Sequence, residues 1–125
     1  MSNFAIYKNN KNMYKVYHNT RCKKSRAGLQ FLQDKGMEVA IIEYLKNPLS
    51  IVELTQLFSK LNRKPSEMIR KQEAIFKSDF KGKSFTEDEW IRIIAENPKL
   101  LNRPIIVKGN KAIWGDPVDN IDDII

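Results

Sequence analysis

The order of strand-like and helix-like segments predicts an α/β domain: a small mixed β-sheet flanked by helices, with a helical insertion in the middle. Three observations carry that prediction. A strand, a helix and a strand follow one another within about 30 residues near the start, a βαβ unit that implies parallel pairing and a right-handed crossover. The middle of the chain is helical in pattern. A hairpin and a final helix then close the sequence. At 125 residues, with 42% apolar and 30% charged side chains, the chain has the size and composition of one globular domain.

Residues 1 to 13 are polar and rich in Asn and Lys, and read as an N-terminal extension, which leaves residues 14–125 as a single domain. The stretch "MYKVYH" alternates and is rich in aromatic and β-branched residues, the mark of a strand. From Ser25 to Lys35, Ala27, Leu29, Phe31 and Leu32 supply an apolar helical face, with Gly36 as a C-terminal stop. "EVAIIEYL", residues 38 to 45, is a second and largely apolar strand. Ser50 and Glu53 form a capping-box signature ahead of Val52, Leu54, Leu57, Phe58 and Leu61. "KPSEMIRKQEAIFK" reads as one or two short helices entered at Pro65. Thr86 and Glu89 repeat the capping box and open a helix through Trp90, Ile93 and Ile94 that stops near Asn97-Pro98. "RPIIVKGNKAIW" reads as two strands around Gly109-Asn110. Asp116 and Pro117 make an N-cap and first-position pair for a C-terminal helix.

β-α-β, then helices, then β-β-α is the connectivity of a thioredoxin-like fold. In that fold a cis-proline ahead of the hairpin strand faces the active cysteine, and Pro104 is the candidate.

The net charge of +7 is concentrated. Residues 1 to 35 hold eight Lys and Arg against one acid, Asp34, so the rest of the chain is neutral in sum. Such an excess suits nucleic acid, an anionic membrane, a small anionic ligand or a solvated basic face. The lysines are not interleaved with aromatics as in a nucleic-acid module, so no direct nucleic-acid partner is expected. No apolar run approaches the roughly 20 residues of a membrane span, and the N-terminus has no apolar signal segment. The lone Cys22 cannot form an internal disulfide, which points to a reducing, cytoplasmic location.

Cys22 sits between the first strand and the first helix, among Arg21, Lys23, Lys24 and Arg26. A loop there delivers its residues to a helix N-terminus, where unpaired N–H groups and the helix dipole favour an anion. A thiolate is such an anion, and helix-start thiols have pKa values lowered from about 8.5. Ser25 stands where a dithiol oxidoreductase would carry its second cysteine. A lone thiol cannot resolve its own adduct, so a redox cycle needs an outside thiol such as glutathione or a small carrier protein. His18, the only histidine, lies four residues before Cys22 and reads either as a group tuning the thiolate or as a strand-end residue. One His and one Cys do not make a zinc site of the usual kind, and no bound metal or cofactor is expected.

Four segments, "YHNTRCKKSR", "EYLKNPLSIVEL", "MIRKQE" and "ENPKLLNRPIIV", resemble the glutaredoxin-coupled arsenate reductases, whose signature is H-N-P-x-C-x-x-S-R. The resemblance runs from about Tyr14 to the end of the chain. It implies that Cys22 is the nucleophile, with His18 supporting the thiolate and Ser25 as its helix-start partner. It implies that Arg70 and Arg103 bind the oxyanion, for which guanidinium forks suit better than lysine. It also implies the reaction: Cys22 attacks arsenate, glutathione adds, arsenite leaves, and glutaredoxin clears the mixed disulfide. The expected partners are arsenate, glutathione and glutaredoxin, with the chain acting as a monomer. Thr20 stands where the family has proline, and Asp116 where many members carry a further arginine. Two other readings share this fold. One is an Spx-type regulator of RNA polymerase, against which Ser25 argues because that group often switches through Cys-x-x-Cys. The other is a relative acting on another small oxyanion or a glutathione adduct.

Overall fold

The computed structural model describes residues 13–125, and the polar leader expected over 1–13 lies, apart from Met13, outside them. The described chain forms two compact units, residues 13–43 with 103–125, and Tyr44–Asn102.

The first unit holds the whole sheet. Strand β1 (Tyr14–Tyr17) leads into helix α1 (Lys23–Asp34) and strand β2 (Val39–Ile42), and strands β3 (Ile105–Lys108) and β4 (Lys111–Trp114) form the hairpin. The order is β2-β1-β3-β4, with β1 parallel to β2 and antiparallel to β3. This is the mixed sheet of a thioredoxin-like fold, and the sequence between β2 and β3 is the expected helical insertion. The alternation of β1 puts Tyr14 and Val16 on one face, where they join Leu32, Ile106, Ile121 and Ile124 in a buried core. Strand β2 is shorter than its apolar stretch because its partner β1 offers only four residues, from Tyr14 opposite Val39 to Tyr17 opposite Ile42. Gly109 turns the hairpin at φ 60°, and Gly36 leaves α1 at φ 74°, both backbone conformations that glycine adopts without penalty.

Helix α1 begins at Lys23, two residues earlier than its apolar pattern suggests, with Cys22 as N-cap. Its buried residues are Ser25, Gly28 and Leu32, whereas Ala27 is exposed. The C-terminal helix also departs from expectation. It is a 3₁₀ helix over Val118–Asp123 capped by Pro117, with no side-chain cap bond. Asp116 does not cap it: the helix starts one residue later than expected, so Asp116 lies ahead of the Pro117 cap, and its carboxylate meets Lys24 instead. Arg103–Pro104 is cis, as the connectivity suggested, and Asp116–Pro117 is cis as well.

The second unit contains helices α2 (Ile51–Leu61) and α3 (Glu87–Glu96) and short helical turns at Pro65–Met68, Phe76–Phe80 and Pro98–Leu100. Both predicted capping boxes are present, Ser50 with Glu53 and Thr86 with Glu89. Leu54, Leu57, Phe58, Met68, Trp90, Ile94 and Leu101 are buried. Phe80 and Phe85 meet the Trp90 ring at centroid distances of 6.2 and 4.9 Å. No helix among the described residues is long and apolar enough to cross a membrane.

Candidate active site

The loop from His18 to Cys22 is fixed by its own polar groups before any ligand is considered. Asn19 organises it: its carbonyl accepts the Cys22 N–H at 3.0 Å, and its side-chain Oδ1 accepts the Arg21 N–H at 3.1 Å. The Asn19 N–H donates to Ser25 Oγ at 3.0 Å, and Arg26 Nη1 donates to the Thr20 carbonyl at 3.0 Å. These bonds hold the turn at Thr20, where no proline ring constrains the backbone.

His18 and Ser25 form a buried pair, with Nδ1 and Oγ 2.7 Å apart, and the His18 N–H is tied to the Ile42 carbonyl at 2.9 Å. Burial pushes the His18 imidazole below its ordinary value. The Glu43 carboxylate opposes this, Arg26 adds to it and the Ser25 backbone opposes it, and the net shift is downward. A neutral ring protonated at Nε2 satisfies all three groups: Nδ1 accepts the Ser25 hydroxyl proton while Ser25 Oγ accepts from Asn19. His18 therefore reaches the thiol loop through Ser25.

Cys22 stands at the N-cap of α1 in an extended conformation and is partly buried. Burial alone would push its thiol up. Against that act the Ser25 amide, then the Arg103 guanidinium through a hydrogen bond and through its charge, then the Lys24 amide. The donors prevail, and the thiol lies below its ordinary value. An anion of sulfur is thus favoured by a helix start and by one buried arginine together.

Arg103 is 6% exposed and precedes cis-Pro104. The Pro104 ring has glycine on two sides. A Cβ at Gly28 would come within 2.7 Å of Pro104 Cγ, and one at Gly115 within 3.1 Å of it and 2.6 Å of Ile106 Cδ1. Only residues without a side chain let helix α1 and the end of β4 approach so closely. These two glycines carry no sequence motif of their own, whereas Asn19 is the asparagine of the H-N-P-x-C signature and a residue that favours turns.

Of the five residues singled out in the sequence, Cys22, Ser25, His18 and Arg103 lie together in the first unit. Arg70 belongs to the second. Its N–H donates to the Leu100 carbonyl at 2.7 Å beside the Ile69–Leu101 bridge, and its Nε meets Glu73 Oε2 at 3.1 Å. Asp116, the acid standing where many members carry arginine, has its Oδ2 3.1 Å from Lys24 Nζ.

Comparison with known proteins finds relatives over most of the chain. The profile of the ArsC family matches residues 17–124. An arsenate reductase of Neisseria meningitidis is 34% identical over 113 residues, covering 89% of this chain and 97% of that one. The uncharacterized protein YfgD of Escherichia coli is also 34% identical, covering 89% of this chain and 95% of its own. Among solved structures, an arsenate reductase from Vibrio cholerae superposes with a TM-score of 0.85 at 33% identity, covering 90% of this chain and 98% of that one.

Proposed function

The chain belongs to the ArsC family, and from that footing we propose that it is a thiol-dependent arsenate reductase using glutathione and glutaredoxin. The observation that carries the reading is the buried Arg103 guanidinium engaging a Cys22 thiol already favoured as thiolate. A guanidinium and helix-start N–H groups are donors suited to a tetrahedral, multiply charged oxyanion.

In the proposed reaction the Cys22 thiolate attacks the arsenic of bound arsenate and an oxygen leaves as water. Glutathione then attacks, and the two sulfurs supply two electrons. Arsenic falls from the pentavalent to the trivalent state, arsenite leaves, and Cys22 remains as a mixed disulfide with glutathione. A glutaredoxin thiolate takes the glutathionyl group and restores Cys22. This external step answers the single cysteine of the chain. Arg103 holds the oxyanion and favours the attacking thiolate. The resemblance assigns Arg70 the second anion-binding role. Ser25 and His18 are positioning residues: they fix the loop and the first turn of α1. A supply of glutathione fits a reducing, cytoplasmic compartment.

Steady-state arsenite formation with arsenate, glutathione and glutaredoxin tests the proposal. Cys22→Ser is expected to abolish turnover. Arg103→Ala is expected to lower kcat/KM by about two orders of magnitude, the scale seen when one oxyanion donor is removed from an active site. Arsenite production that survives in Cys22→Ser would sink the mechanism.

A further inference from the structure

Asp116 takes no part in the reaction proposed above, yet the fold carries it to the edge of the thiol loop. The hairpin ladder pairs Ile105 with Trp114, and the Gly115 N–H donates to the Pro104 carbonyl at 2.8 Å. The two segments therefore still run side by side just beyond the strands, with Arg103 and Asp116 next along each. Asn120 Nδ2 pins the turn by donating to the carbonyls of Trp114 and Asp116 at 3.1 and 3.2 Å. From this anchored backbone the Asp116 carboxylate meets Nζ of Lys24 at 3.1 Å. Lys24 lies two residues after Cys22, in the first turn of α1. A built-in carboxylate thus pairs with a lysine in the first turn of the thiol helix.

We propose that Asp116 sets the oxyanion affinity of the site by holding Lys24, so that the carboxylate and an incoming tetrahedral oxyanion compete for one ammonium. The inference rests on the reading that Cys22 and Arg103 receive a small oxyanion. The two partners are unequally free: the Lys24 side chain is 59% exposed and that of Asp116 24%. Lysine carries its charge on a flexible four-carbon stem, whereas the carboxylate is short and its backbone is fixed by Asn120. Lys24 is therefore the member that can leave the pair and turn toward an anion at the start of its own helix. Asp116 draws it back. A partly exposed pair of this kind is weak, which makes it a graded control on affinity rather than a block.

The test measures how well inorganic phosphate, and separately arsenate, protects Cys22 from iodoacetamide at constant pH and ionic strength, without glutathione. It uses the wild type, Asp116→Asn, Lys24→Gln and the double variant, each normalised to its own rate without anion. Asn preserves the shape of the side chain, and the Asp116 bond to Asn120 is made by the backbone. The half-protecting concentration is expected to fall about two- to fivefold in Asp116→Asn, to rise in Lys24→Gln, and to be insensitive to Asp116→Asn once Lys24 is gone. An unchanged or higher concentration in Asp116→Asn overturns the proposal. So does an equal fall with and without Lys24, which would mean direct repulsion by the carboxylate. Protection that is present but indifferent to Asp116 leaves the oxyanion reading intact and removes this inference alone. A wild type that neither anion protects removes both.

Discussion

At the scale of single residues, the Cys22 sulfur is pulled in two directions: burial works against its charge, and the Ser25 amide, Arg103 and the Lys24 amide work for it. The rate of iodoacetamide alkylation against pH should therefore show a midpoint below the roughly 8.5 of a free cysteine. In Arg103→Ala that midpoint should move upward, because a hydrogen bond and a charge that favour the thiolate are both lost. His18 makes a prediction of the opposite chemical kind. Its folded-state pKa lies below the ordinary value of 6.5, so the unfolded chain binds more protons in mild acid. Stability contributed by the neutral ring is present above 6.5 and is lost as pH falls through the lowered folded value. Urea midpoints measured between neutral pH and mild acid should decline, and the decline should be shallower in His18→Gln. Ser25→Ala leaves His18 Nδ1 and the Asn19 N–H without their shared partner, an expected loss of about 1–3 kcal/mol in urea unfolding.

At the scale of elements, the contact that places Arg103 is the seat of Pro104 against Gly28 and Gly115. Gly28→Ala puts a methyl group 2.7 Å from Pro104 Cγ, so the helix or the proline must shift. Overpacking of this kind costs about 1–3 kcal/mol, and the shift should also raise the Cys22 midpoint by disturbing Arg103. A Gly28→Ala variant with wild-type stability and an unchanged alkylation profile would contradict that placement. The same elements show why some of the fold could be read in the sequence and some could not. Capping boxes at Ser50 and Thr86 are signals within four residues, complete in themselves, and both appear as read. The hairpin at Gly109-Asn110 is equally local. The buried stripe of α1 is another matter. A search for apolar spacing favours Ala27, but the side that packs is Ser25, Gly28 and Leu32, because what approaches it is a proline ring 76 positions further along. The Asp116-Pro117 dipeptide looks like a helix entry, but the helix opens one residue later with Pro117 as its cap, and nothing nearby in sequence announces that the carboxylate will meet Lys24.

At the scale of the whole molecule, the topology was legible because element order and handedness leave few arrangements for a parallel β-α-β unit followed by a hairpin. That order brings residues 18–26 and 103–104 to one place, so that Arg103 joins a thiol already flanked in sequence by Arg21, Lys23, Lys24 and Arg26. The loop's internal hydrogen bonds through Asn19 and Arg26 were not legible, since several polar residues there could equally have faced solvent. In the proposed reaction Cys22 supplies one of the two electrons that reduce arsenic, and glutathione supplies the other. A single-turnover experiment tests this most directly. The protein is mixed with arsenate and glutathione in the absence of glutaredoxin, then analysed for released arsenite and, by mass spectrometry, for the state of Cys22. Arsenite close to one equivalent per chain is expected, matched by a glutathionyl adduct on Cys22 that forms only when arsenate is present and disappears when glutaredoxin is added. Arsenite released while Cys22 stays unmodified, or an adduct that forms at the same rate without arsenate, would contradict it.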